Sequence, residues 1–445
     1  MFEFGTDGVR GKANETLPVE VAYRLGSYLG DYYSKTEKGK ILIAKDTRLS
    51  SGMYEMAVAA GIAAHGCDVY LEGYAPTPSV AHLVITHKFA CGIMISASHN
   101  PYYDNGIKVF SAKGSKLDRK VEQQIETYLN AKEDLPNKTN EQIGQVIDWP
   151  EGLEEYLTWL ENLHPLNLKG LKLALDTANG SSSFTAYRVL TKLGATCDNF
   201  NHEPNGLNIN TNCGSTHPGQ LIEIMKKGNY DLGLAFDGDA DRLIAIAPDG
   251  QEITGDKVLY SLGKYLKSQG RLPDDTIVTT VMANLGLFKK LDEAKIAYKI
   301  TPVGDKYVHE EMVKGNYEIG GEQSGHIIFL DQATTGDGLL TALNILEMII
   351  QTGKTINELT DDLFIYPQLL VNVKVKNKQK VQDDPEVKAA CKKAEKALGN
   401  EGRILVRPSG TEPLLRVMVE AKTDQLCKEY VDQVVEVVKE VNEKL

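Results

Sequence analysis

The sequence predicts an α/β protein of several domains whose last domain is built differently from the rest. Short β-branched runs alternate with helical patterns along most of the 445 residues, the signature of helices covering a largely parallel sheet. A chain this long exceeds one compact core, so roughly three or four domains are expected. Towards the C-terminus the pattern changes to half-exposed alternating strands and one amphipathic helix.

The elements justify this in order. Residues 40–44 (KILIA) and 92–95 (GIMI) read as buried strands, with an Ala-rich helical segment at 52–65 between them. The alternation returns as a strand at 171–175, a turn at Thr177-Ala178-Asn179-Gly180 and a helix. It returns again at 232–236, at 276–281 and from 319 onward, so that three blocks read as copies of one unit. Polar stretches at 135–145 and 249–256 mark boundaries, and 364–368 with Pro367 reads as a linker. Residues 369–375 and 415–419 alternate as half-exposed strands do, and Leu426, Val431, Val434, Val435 and Val438 form a stripe close to helical period. That stripe reads as core. The expected domains are 1–150, 151–252, 253–365 and 366–445.

Composition narrows the function classes. A net charge of −12 argues against nucleic acid or an anionic membrane as the main partner. An acidic protein that handles an acidic substrate must gather its positive charge locally. The opening MFEFGTDGVRG lacks both the basic cap and the apolar core of a signal peptide. The most apolar stretch, 339–350, contains Asn344 and Glu347 and is too short to span a bilayer. Six cysteines lie scattered with no CxxC pair, which predicts reduced, buried thiols in a cytoplasmic protein.

Four separated loops combine Gly, hydroxyl and charged residues. The first is Ser96-Ala97-Ser98-His99-Asn100-Pro101, followed by Asp104-Asn105-Gly106-Ile107-Lys108. A serine just beyond a buried strand is fixed yet open to a cleft, as a nucleophile must be. His99 and Lys108 offer donors to a phosphoryl group, while the same residues also make a plain Asn-Pro turn. No GxSxG elbow surrounds Ser98, which argues against a serine hydrolase. The second loop, Asp237-Gly238-Asp239-Ala240-Asp241-Arg242, places three carboxylates at alternate positions. Without a cation they would repel one another, and an EF-hand is excluded by Arg242 at the sixth position and Pro248 at the twelfth. Three protein oxygens leave room for water and phosphate, which suits magnesium.

The third loop, Gly320-Gly321-Glu322-Gln323-Ser324-Gly325-His326, offers the donors and acceptors a sugar requires, and His326 can relay a proton near neutral pH. It also reads as a glycine-rich turn. The fourth, Arg407-Pro408-Ser409-Gly410-Thr411-Glu412-Pro413 with Arg416 behind it, reads as a phosphate nest or as a capped turn between strands.

Together the motifs FGTDGVRG, ISASHNPYYDNGIKVF, DTANG, CGSTH, FDGDADR, GEQSGH and RPSGTEP, in this order from end to end, resemble the α-D-phosphohexomutase family. The opening FGTDGVRG and Gln323 resemble the branch of that family acting on amino sugars. The resemblance implies three related α/β domains and a smaller C-terminal α+β domain around a central cleft. It implies that phosphorylated Ser98 moves phosphate between the two ends of a hexosamine. Glucosamine 6-phosphate and glucosamine 1-phosphate would interconvert through glucosamine 1,6-bisphosphate, with glucose 1,6-bisphosphate as an alternative activator, feeding UDP-N-acetylglucosamine and peptidoglycan-precursor synthesis. Mg2+ would be held by Asp237, Asp239, Asp241 and phospho-Ser98. Arg10 and His99 would neutralise charge, and Lys108 and His326 would exchange protons. Arg242, Lys306, Glu322, Gln323, Ser324, Arg407, Ser409, Gly410, Thr411 and Arg416 would bind the phosphosugar, with Lys306 standing where many relatives carry Arg. A mutase for glucose or mannose phosphates and a non-catalytic sugar-phosphate sensor are the rival readings. A homodimer is an admissible assembly.

Overall fold

The protein's structure, a computed structural model, describes residues 2–5, 7–35, 39–409 and 413–445. Four sheets follow one another along the chain. In the first, the strand order is Val9–Lys12, Asp104–Ser111, Cys91–Ile95, Lys40–Lys45, Asp68–Tyr74, Val146–Asp148. The strands Cys91–Ile95, Lys40–Lys45 and Asp68–Tyr74 run parallel, while Asp104–Ser111 returns antiparallel beside Cys91–Ile95.

Alternation along these strands builds two cores. Ile41, Ile43, Ile93 and Ile107 pack with Leu25, Leu29, Val58 and Ile62 of the helices Val19–Tyr33 and Ser51–Ala64. Their neighbours Leu42, Met94 and Phe110 face the other way, onto Val80, Leu83 and Val84 of the helix Thr77–Thr86. Burial on both faces is why these strands read as continuous apolar runs, each such side chain contributing about 1.5–3 kcal/mol.

The next two sheets repeat the design. In the second, Leu232–Phe236, Lys172–Asp176 and Thr196–Phe200 are parallel, and Leu243–Ile246 returns antiparallel beside Leu232–Phe236. In the third, Ile319–Gly321, Thr276–Thr280 and Ala297–Thr301 are parallel, and Ile327–Phe329 returns beside Ile319–Gly321. Nucleophile, metal and sugar loops therefore occupy one equivalent position in three copies. Each joins a central parallel strand to its antiparallel return. The blocks read from sequence as copies are copies in topology.

The last sheet is wholly antiparallel, in the order Gln368–Lys374, Leu414–Ala421, Gly402–Pro408. Its Val373, Leu415, Val417 and Val419 pack on Cys427, Val431, Val434 and Val438 of the helix Asp424–Lys444. Thr423 caps that helix by accepting from Leu426 N at 3.3 Å.

Two compact units result. One comprises residues 1–282 and 296–360, the other 283–295 and 361–445. The helix Leu285–Glu293 thus clusters with the C-terminal sheet although it lies within the third block of sequence. Its start explains why. Buried Glu420 accepts from Leu285 N at 2.9 Å, from Gln368 Nε2 at 2.8 Å and from Arg403 Nε at 2.6 Å.

Candidate active site

The strand Cys91–Ile95 is buried throughout and ends at the nucleophile loop. Ser98 sits at φ 52°, in the left-handed region that a residue with a Cβ occupies at a cost of about 1–3 kcal/mol. Three hydrogen bonds hold it there. Its N–H donates to Ser96 Oγ at 2.8 Å, and its carbonyl accepts from Arg48 Nη2 at 2.7 Å and Asn210 Nδ2 at 2.8 Å. Asn210 also donates to Asn100 O at 3.0 Å, so the second block clamps the loop of the first. The sequence reading placed residues 104–108 in the loop; they form the start of the strand Asp104–Ser111, and Lys108 is aimed by that strand. The alternating apolar signal was obscured there by Asp104, Asn105, Gly106 and Lys108.

The metal loop passes directly beneath. A Cβ on Gly238 would stand 2.5 Å from Ser98 O and 2.8 Å from Asn210 Nδ2, so only glycine allows this approach. Ser98 Oγ donates to Asp237 Oδ2 at 2.7 Å. Oxygens of Asp237, Asp239 and Asp241, all three buried, lie within 4.8 Å of one another. Thr77 fixes Asp239 twice, donating from N to its carbonyl at 2.9 Å and from Oγ1 to its carboxylate. Lys108 Nζ sits 2.5 Å from Asp239 Oδ2 and 3.4 Å from Asp241 Oδ2.

Charge in this cluster is strongly perturbed. Burial, with Asp241 and Asp239 nearby, pushes the Asp237 carboxyl well above its usual range. Burial acts on Asp239 in the same sense, but Lys108 and Thr77 outweigh it and hold that carboxyl low. Burial would lower Lys108, yet Asp239 and Asp241 keep it a firm ammonium. Asp239 Oδ1 and Asp241 Oδ1 are buried without a hydrogen-bond partner among the described residues. Hard oxygen donors orphaned side by side fit a divalent cation.

Cations surround the triplet. Arg242 N donates to Asp237 Oδ1 at 3.2 Å, and Arg242 Nη1 donates to His99 Nδ1 at 3.1 Å. Burial, then Arg242 and Arg10, lower His99 to about 4, so its imidazole is neutral at pH 7. His99 Nδ1 lies 3.4 Å from Ser98 Oγ. Arg10 pairs with Asp7 at 3.3 Å. The local positive charge demanded by an acidic chain is present.

In the third loop, Gly325 at φ 89° would drive a Cβ to 2.1 Å from Leu243 O, which seats the loop against the metal-loop strand. Glu322 Oε1 accepts from Gly304 N at 3.1 Å, and Ser324 Oγ is buried without a hydrogen-bond partner among the described residues. Gln323 is half-buried, its carbonyl accepting from Gly255 N at 3.0 Å. His326 is buried, accepts at Nε2 from Gly336 N at 3.2 Å and stands 3.9 Å from Asp305 Oδ2. Its Nδ1 has no hydrogen-bond partner among the described residues. Lys306 is drawn elsewhere: its Nζ donates to Leu117 O and pairs with Glu122 Oε1, both at 2.8 Å.

The fourth loop belongs to the C-terminal unit. Arg407 and Arg416 are direct partners across antiparallel strands. Like charges so placed repel and favour an anion between them. Ser409 is buried, its N–H donating to Leu414 O at 2.9 Å, and Lys378 Nζ donates to Ser409 O at 2.6 Å. Gly410 and Thr411 lie outside the described residues.

Comparison with known proteins decides the family. Models of the phosphoglucomutase/phosphomannomutase α/β/α domains I, II and III match residues 1–135, 154–250 and 254–365, and the C-terminal domain model matches 370–437. The chain belongs to the phosphoglucomutase/phosphomannomutase family of phosphohexomutases. A phosphoglucosamine mutase of Lachnoclostridium phytofermentans is 50% identical over 438 residues, 98% of each chain. That of Shouchella clausii is 49% identical, with the same coverage. A family protein from Burkholderia thailandensis has the same fold, with TM-score 0.81 and 24% identity over 97% of this chain and 96% of that one. An Aspergillus fumigatus N-acetylphosphoglucosamine mutase in complex with GlcNAc-6P and magnesium superposes with TM-score 0.74 and 18% identity, covering 99% and 95%.

Around the site of this phosphohexomutase stand further residues that the sequence did not single out. Asp7 and Asp305 both pair with Lys116 at 3.3 Å. Thr77, Arg48 and Asn210 hold the nucleophile and the triplet from elsewhere in the chain. Asn210 carried one signal, lying just ahead of CGSTH in a run of Asn residues with no apolar period. Thr77 and Lys116 carried none.

Proposed function

We propose that this phosphohexomutase interconverts glucosamine 6-phosphate and glucosamine 1-phosphate through phospho-Ser98 and a 1,6-bisphosphate. One observation carries the reading: the strained Ser98 hydroxyl donates to Asp237 at 2.7 Å, within a buried triplet in which Asp239 Oδ1 and Asp241 Oδ1 have no hydrogen-bond partner among the described residues. The near-50% identity to proteins named phosphoglucosamine mutase supports the amino sugar.

In the first half-reaction the bond between Ser98 Oγ and phosphorus breaks, and a bond forms from phosphorus to the free sugar hydroxyl oxygen. The hydroxyl proton passes to water as that bond forms, and Ser98 Oγ takes a proton from Lys108. The second half-reaction returns the other phosphoryl group to Ser98 Oγ after the bisphosphate reverses its orientation. A magnesium ion on Asp237, Asp239 and Asp241 supplies charge neutralisation when bound. Arg10, Arg242 and neutral His99 add donors to phosphoryl oxygens. Lys108, an ammonium, donates at the departing oxygen, and His326 exchanges a proton through Nδ1. Glu322, Gln323 and Ser324 bind ring substituents. Arg407, Ser409, Gly410, Thr411 and Arg416, with Lys378, receive the phosphate that is not reacting and accept either end of the sugar. Lys306 is held by Glu122 and Leu117 O and stands outside this set.

The deciding experiment compares kcat/KM on glucosamine, glucose and mannose phosphates, in parent and Ser98→Ala protein. The amino sugar should be turned over best by the parent, and Ser98→Ala should turn over none. Equal or better rates on glucose or mannose phosphate would reject the substrate, and turnover by Ser98→Ala would reject the nucleophile.

A further inference from the structure

The segment Thr334-Thr335-Gly336-Asp337-Gly338 belongs to none of the four loops, yet it is bonded to two of them. Gly338 N donates at 3.0 Å to the carbonyl of Ala240, which stands in the metal loop between Asp239 and Asp241. Ala240 lies at φ 56°, a left-handed conformation that a residue with a Cβ keeps only when its surroundings hold it. At the other end of the turn, Gly336 N donates to His326 Nε2 at 3.2 Å, which leaves the proton of a neutral imidazole on Nδ1. A Cβ on Gly336 would stand 2.5 Å from His326 Nε2 and 2.7 Å from Asp241 O, so the turn lies hard against both loops. One short segment thus sets the metal loop and the proton-exchanging histidine relative to each other.

Asp337 fixes the turn. Its Oδ1 accepts from Leu340 N at 2.9 Å, capping the helix Gly338–Thr352, and its carbonyl accepts from Thr341 Oγ1 at 2.7 Å. Its Oδ2 accepts from the hydroxyl of Tyr156 at 2.6 Å. Both residues are buried, so losing either partner leaves a polar atom of the other unsatisfied. Tyr156 stands on the buried face of the helix Glu151–Leu163, beside Leu157 and Leu160. A phenylalanine would fill that core position as well. The hydroxyl is there for Asp337.

We infer that Tyr156 is a positioning residue for phosphoryl transfer: acting through Asp337 and the turn 336–338, its hydroxyl holds Ala240 and His326 where the metal loop and the proton exchange need them. This rests on the reading of Asp237, Asp239 and Asp241 as a magnesium site, and holds whichever sugar is turned over.

The test is calorimetric titration of the full-length protein with magnesium chloride, alongside kinetics on the sugar phosphate that the parent turns over best. The variants are Tyr156→Phe, Asp337→Ala and the two combined, with Leu160→Val as control, since it trims a buried side chain one turn along the same helix. Tyr156→Phe should weaken magnesium binding and lower kcat by about tenfold each, with KM within about twofold of the parent's. Because the hydroxyl acts through Asp337, the double variant should be no weaker than Asp337→Ala alone. Leu160→Val should lower the melting temperature and leave magnesium affinity as it was. Parent-like magnesium affinity in Tyr156→Phe would overturn the inference. So would losses that add in the double variant, or equal weakening by Leu160→Val. A parent that bound no magnesium would overturn the metal site and this role together, a result distinct from Tyr156→Phe matching a parent that binds.

Discussion

At φ 52° the Ser98 backbone is held by partners drawn from three stretches of chain: Ser96, Arg48 and Asn210. Asn210→Ala removes the donor to both Ser98 O and Asn100 O. Each such bond contributes about 0.5–1.5 kcal/mol to stability, so the melting temperature should fall by a few degrees. The kcat should fall by about tenfold or more, because the hydroxyl loses its fixed position. An unchanged kcat would show that Arg48 and Ser96 suffice. Gly238→Ala is a harsher probe, since its Cβ would meet Ser98 O at 2.5 Å. It should weaken magnesium dependence and turnover together, and a variant titrating with magnesium like the parent would separate the two loops. At this scale SASHNP and DGDAD were legible because their chemistry needs adjacent residue types. Asn210 and Thr77 were not, since a hydrogen bond to a backbone carbonyl leaves no pattern in the chain.

The helix Thr77–Thr86 shows how an element transmits order to the site. Its first residue grips Asp239, and two residues on, Ser79 donates to Glu72 of the strand Asp68–Tyr74. Glu72 is buried, and that burial raises its carboxyl to about 8. The folded state therefore keeps a proton that the unfolded chain releases near pH 4.5. Stability from this group is full below that pH and is lost as pH rises towards 8, by at most about 5 kcal/mol. Glu72→Gln cannot titrate. Its melting temperature relative to the parent should rise steadily from pH 5 to pH 8, and a difference independent of pH would refute the neutral carboxyl. In the C-terminal sheet, facing Arg407 and Arg416 predict that Arg416→Ala raises KM more than it lowers kcat. An unchanged KM would place the substrate phosphate elsewhere. Buried strands such as 232–236 were legible from their apolar runs, whereas the antiparallel return Asp104–Ser111 was not. Half of that strand serves the site, so its composition follows chemistry rather than packing.

For the whole molecule, the three copied blocks were legible as alternation, and the final domain as a change of period. The compact units were not, because they do not follow chain order. Residues 283–295 join the C-terminal unit through Glu420, a contact between positions more than a hundred residues apart. A chain truncated after Thr360 leaves the helix Leu285–Glu293 without that partner and without Phe364, whose carbonyl lies against Gly286. It should melt at a lower temperature and lose helix by circular dichroism beyond the residues removed; parent-like melting would show the helix to be independent. The central claim is that one hydroxyl beside three aspartates holds a phosphoryl group and returns it to either end of the sugar. Its most direct test loads the protein with isotopically labelled phosphate from the sugar bisphosphate, maps the labelled peptide, and chases with unlabelled glucosamine 6-phosphate. The account predicts label on Ser98 alone, leaving into both sugar monophosphates at the rate of turnover. Label on another residue, or label that stays on Ser98 through many turnovers, would contradict it.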